Sequence, residues 1–114
     1  MEKELIFIDE KTGDKVGMHY GSWISVIRGI LVKYASKSTD EADIILANKL
    51  FSIPKSFGEV LLLSHELDYH WAMLGAYGEG YWLKGIGSVA PDGYFEWYEE
   101  YLRSNDLKKP FVWY

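Results

Sequence analysis

A mainly α, α+β fold with four helical segments around one core and an N-terminal β-hairpin follows from three features of the chain. Apolar residues recur at helical spacing over long stretches. Two serines, Ser38 and Ser56, each stand three residues ahead of a glutamate, the signature of a capped helix start. The β-prone run Glu4-Leu5-Ile6-Phe7-Ile8 opens the chain and meets a turn-rich stretch, Asp9 to Lys15.

The first element is thus a strand over Glu4–Ile8. Thr12-Gly13-Asp14 supplies a residue that tolerates positive φ, and the return runs through Val16 to Tyr20 as a hairpin. A two-stranded ribbon is marginal alone, so it must lie on the helices. Ser22 reads as the N-cap of a first helix, with Trp23, Val26, Ile27, Ile30, Leu31 and Tyr34 on its apolar stripe. Gly29 costs that helix about 1 kcal/mol against Ala and suits a close crossing by another helix. Ser38-Thr39-Asp40-Glu41 opens a second helix through Ala42, Ile45, Leu46 and Leu50. After Pro54, Ser56-Phe57-Gly58-Glu59 opens a third through Val60 to Leu63. It either runs on to Tyr77 or breaks near Ser64 and restarts behind Asp68. Tyr81-Trp82-Leu83 reads as a short extended piece and Gly85, Gly87 and Pro91 as a loop. A last helix from Tyr94 to Ser104 follows Asp92-Gly93.

A chain of 114 residues suits a single globular domain over 1–114, and 48% apolar with 25% charged residues is the balance of a folded protein rather than a disordered one. There is no Cys, which excludes disulfides, thiol chemistry and cysteine-based zinc sites. No apolar run is long enough to span a bilayer, and Met1-Glu2-Lys3-Glu4 lacks the basic-then-apolar order of a secretory leader, so a cytoplasmic location is expected.

The net charge is −5, unevenly spread. Residues 1–55 balance 8 acids with 8 bases, whereas residues 56–107 carry 9 acids against Lys84 and Arg103. Such a field repels phosphate backbones and argues against nucleic acid as a partner; it attracts a basic protein. His65-Glu66-Leu67-Asp68-Tyr69-His70 invites comparison with the zinc-protease pattern, but its histidines are five apart, about 140° around a helix rather than on one face. No metal and no cofactor is expected. The rival reading is a small enzyme with His65, Glu66, Asp68 and His70 as an acid–base cluster.

Aromatics reach 17% of the chain and crowd between positions 69 and 101. On the last helix the spacing puts Phe95, Tyr98 and Leu102 toward the core and Tyr94, Trp97 and Tyr101 on a flanking face. Glu96, Glu99, Glu100 and Arg103 then form a solvent face, with Glu99 set to pair with Arg103. Rigid rings beside carboxylates are what an interface with a charged rim needs.

Asp68-Tyr69-His70-Trp71-Ala72-Met73, followed by Tyr77-Gly78-Glu79-Gly80-Tyr81-Trp82 in a short, acidic, Cys-free chain, resembles the small bacterial immunity proteins encoded beside polymorphic or contact-dependent growth-inhibition toxins. The resemblance implies a non-enzymatic cytoplasmic protein that neutralises a cognate basic, nuclease-like toxin domain by occupying its active site or substrate channel. The residues expected at that interface are Asp68, Glu79, Glu96, Glu99 and Glu100 as charge donors, and Tyr81, Trp82, Tyr94 and Trp97 as anchors. No membrane partner is expected. A third arrangement is a homo-oligomer seamed by the aromatic surface.

Overall fold

The computed structural model describes residues 3–114; Met1 and Glu2 of the leader reading lie outside them. The fold is mixed α+β. Strands β1 (Glu4–Ile8) and β2 (Lys15–His19) form the expected hairpin, antiparallel, with Ile6 opposite Gly17. A third strand, β3 (Phe111–Trp113), joins the far side of β2, so the order is β1-β2-β3. That strand is not legible in the sequence. Three residues carry no period, and their pairing with β2 depends on distant groups that hold the tail: the His19 N–H donates to the Pro110 carbonyl (2.8 Å) and its Nδ1 lies 3.0 Å from the Lys109 carbonyl.

Helix α1 (Tyr20–Tyr34) leaves β2 without a loop. Its N-cap position is His19, not Ser22, and no side chain caps it. Ser22 is buried instead, and its hydroxyl accepts the Lys108 N–H at 3.1 Å, which pins the C-terminal segment. The stripe Trp23, Val26, Ile27, Ile30 and Leu31 is fully buried and forms the axis on which α2 (Thr39–Leu46), α4 (Asp68–Tyr77) and α5 (Tyr94–Ser104) pack. Gly29 is the crossing point expected of it: a Cβ there would stand 2.7 Å from the Tyr101 ring of α5.

Both serine caps form. Ser38 and Glu41 close a reciprocal capping box, and Ser56 accepts the Glu59 N–H at the start of α3 (Phe57–His65). The second helix stops at Leu46, and Leu50 belongs to a separate 3-10 turn over Lys49–Phe51. The third helix breaks after His65, the second of the two readings the sequence leaves open, so the described residues form five α-helices. Glu66 and Leu67 are extended, and Trp71 of α4 bridges the break by donating from Nε1 to the Leu63 carbonyl at 2.8 Å. Gly78, at φ 86°, ends α4, and Tyr81–Lys84 is a 3-10 turn rather than an extended piece. Among the described residues no helix is long and apolar enough to cross a membrane.

Candidate functional site

The break between α3 and α4 turns Asp68 inward at the first turn of α4. Its side chain is almost sealed, at 6% exposure. Oδ1 accepts from Trp23 Nε1 of α1 at 3.1 Å, and Oδ2 accepts from the Tyr98 hydroxyl of α5 at 2.6 Å. Burial pushes this carboxyl up to about 6, and the two hydrogen bonds only partly offset the lost hydration. Burial and the adjacent carboxylate raise Tyr94 and Tyr98 well above the usual phenol range, so both stay protonated donors.

A cleft of about 250 Å³ opens beside this carboxylate. One wall is Glu66, Leu67 and Asp68; the other is Tyr94, Phe95, Tyr98 and Glu99 of α5, with Phe111 of β3 closing it. Among the described residues no basic side chain lines it. The Tyr94 hydroxyl is buried here, facing the Tyr69 backbone without closing a hydrogen bond to it. A carboxylate without a cation, two further acids and aromatic walls together suit an ammonium or guanidinium group, by charge-assisted hydrogen bonding and by cation–π attraction.

The expected interface residues divide three ways. Asp68, Tyr81 and Tyr94 are corrections, because a partner cannot take hold of side chains at 6%, 0% and 2% exposure. Tyr81 is held inside by its hydroxyl, 2.9 Å from His70 Nδ1, and by ring contacts with His70 and Trp82. Tyr94 lies under a cluster of Tyr34, Tyr69, Trp97 and Tyr98 rings. Of the three, Asp68 and Tyr94 still line the cleft. Glu96, Glu99 and Glu100 are exposed along α5, as expected. Glu99 lines both the cleft and a neighbouring groove that also holds Glu96, Glu100, Arg103 and Lys109. The acidic ridge is therefore interrupted by two cations. Arg103 pairs with Glu100, not with Glu99. Trp97 is half-buried, edge-on to Tyr34 at 5.6 Å and tilted on Tyr101 at 5.0 Å. Glu79 and Trp82 are exposed on the segment after α4 and border neither cleft nor groove.

Phe95 is the residue the helical spacing misplaced. The spacing points it to the core, yet it stands 61% exposed at the cleft mouth, and Tyr94 lies inside. Position 94 fits the stripe of Tyr98, Tyr101 and Leu102 as well as position 95 does. Only the direction from which α1 meets the helix chooses between them. Trp23 and Tyr98, the partners of Asp68, were not legible as site residues, being 45 and 30 positions away. His70 and Asp68 belong to different hydrogen-bonded groups, and among the described residues no three His, Asp or Glu side chains gather as a metal site. No family model, curated protein or solved structure matches this chain.

Proposed function

We propose that this protein binds a basic partner protein through α5 and the adjoining cleft, and that the partner is the nuclease-like domain of a cognate toxin whose active site or channel it blocks. One observation carries the reading: the mouth and floor of the cleft hold Glu66, Glu99 and Asp68 with no cation among them. A lysine or arginine from the partner would enter the cleft mouth between the exposed Glu66 and Glu99 and lie against the exposed Phe95 ring, above the buried Asp68. Each such exposed pair is worth about 0.2 to 1 kcal/mol, so the contact area around it carries most of the affinity. Around it, Glu96, Glu99 and Trp97 supply the rim and part of the contact area. The concentration of negative charge between residues 56 and 107 raises the association rate with a basic surface, and the rings slow dissociation.

The test is co-expression with the C-terminal domain encoded by the neighbouring reading frame, which this reading expects to be a large exported protein ending in a basic domain. Growth is expected to survive with the wild-type chain and to arrest with Glu99→Lys plus Phe95→Ala, both exposed positions, while near-UV circular dichroism stays unchanged. Arrest despite the wild-type chain, or rescue undiminished in the double variant, would sink the proposal.

A further inference from the structure

Strand β1 is an edge. The backbone hydrogen bonds fix which of its groups are free: Tyr114 N–H donates to the Lys15 carbonyl and His19 N–H to the Pro110 carbonyl, so Lys15, Gly17 and His19 face β3. Alternation then turns Val16 and Met18 toward β1, where they oppose Phe7 and Leu5. The Asp9 N–H donating to the Asp14 carbonyl continues the same phase. Glu4, Ile6 and Ile8 therefore aim their N–H and C=O groups away from the sheet, into an unpaired edge.

Ile6 and Ile8 are 44% and 58% exposed. A groove of about 710 Å³ runs between β1 and the start of α3, with Ile6, Phe7 and Ile8 on one side and Phe57, Gly58 and Leu61 on the other. It shares no residue with the Asp68 cleft.

We infer that this edge pairs antiparallel with β1 of a second copy of the chain, about a two-fold axis through Ile6, making one six-stranded sheet. Since Glu4, Ile6 and Ile8 carry the free groups, only registers that oppose even-numbered residues form hydrogen bonds. A register centred on Phe7 sets Lys3 against Lys11, Glu4 against Glu10 and Leu5 against Asp9. One centred on Leu5 sets Lys3 against Phe7. Centring on Ile6 opposes Leu5 to Phe7, Glu4 to Ile8 and, at both ends, Lys3 to Asp9, so that each copy's cation meets the other's carboxylate. In that register Leu5 of each copy meets Phe7 of the other on one face of the joined sheet, and Ile6 meets its own symmetry mate on the opposite face.

The experiment is light scattering over a wide concentration range at low ionic strength. The wild-type chain is expected to reach twice the mass of one chain. Ile6→Pro deletes an N–H that the β1–β2 ladder does not use, so the fold persists and dimerisation weakens by roughly 100-fold, because two symmetry-related hydrogen bonds are lost and the edge is blocked. Lys3→Asp weakens it about tenfold, and adding Asp9→Lys restores it. A wild-type chain that stays monomeric at every concentration overturns the inference. So does a dimer indifferent to Ile6→Pro, or one that the charge exchange fails to restore.

Discussion

Helices α4 and α5 draw on the same kinds of residue, rings beside carboxylates, yet one is sealed and the other half open. Helix α4 is packed against α1, α2 and the 3-10 turn over Tyr81–Lys84, so Asp68, Tyr69, Trp71, Ala72 and Met73 are all buried. Helix α5 makes its main contacts with α1 alone, and only Tyr94 and Leu102 are fully buried. The difference teaches that an aromatic-acidic segment is a surface only where the stack leaves it a free side. On α4 even the carboxylate is drawn inside, at a cost; on α5 Glu96, Glu99 and Phe95 reach water.

Substitutions on the two helices sharpen that contrast. The largest effect is expected from Trp71→Ala on α4. It removes a buried indole and leaves the Leu63 carbonyl without its donor. The loss should be about 3 to 5 kcal/mol in denaturant unfolding. A loss below 1 kcal/mol would mean α4 is not the sealed helix.

Gly29→Ala tests the single seam of α5. Its methyl would meet the Tyr101 ring, whose hydroxyl is also tied to the Ser25 carbonyl at 3.1 Å, so the ring cannot swing aside freely. Overpacking of about 1 to 3 kcal/mol should outweigh the helix propensity gained, and the near-UV signal of Trp97 should shift. Stabilisation by this change would show that the seam is loose.

Asp68→Asn comes third and runs in the opposite direction. The folded chain holds the Asp68 proton up to about 6, against an ordinary value of 3.8 in the unfolded chain. Its contribution is thus best in acid, and ionisation withdraws up to about 3 kcal/mol as pH climbs from 4 to above 6. The amide, which never ionises, should be more stable than wild type by about 1 to 2 kcal/mol at pH 8, and no more stable at pH 4. Melting curves across that range measure it.

The smallest effect belongs to Phe95→Ala. With its ring 61% exposed, unfolding should change by less than about 0.5 kcal/mol, while affinity for the proposed basic partner should fall. A stability loss comparable to that of Trp71→Ala would erase the distinction between the two helices.

Local chemistry made much of the fold readable. Gly13 marks the hairpin turn; Ser38 with Glu41 and Ser56 with Glu59 mark helix starts; and the α1 stripe marks the core, because each acts within one turn of chain. The exposed acids of α5 were readable for the same reason. Ser22 misled, since a serine oxygen caps whichever N–H arrives, and the Lys108 N–H came from 86 positions away.

By itself, then, the sequence determined the N-terminal hairpin, the capped starts of α2 and α3, the central helix and the charge imbalance between the two halves. Tertiary structure alone decided that the chain returns as β3, that α5 is rotated to bury Tyr94 and release Phe95, and that Asp68 lies between Trp23 and Tyr98. The physical reason is range. Caps and periodicity act between near neighbours, whereas the burial of a ring or a carboxylate depends on which distant element arrives to cover it.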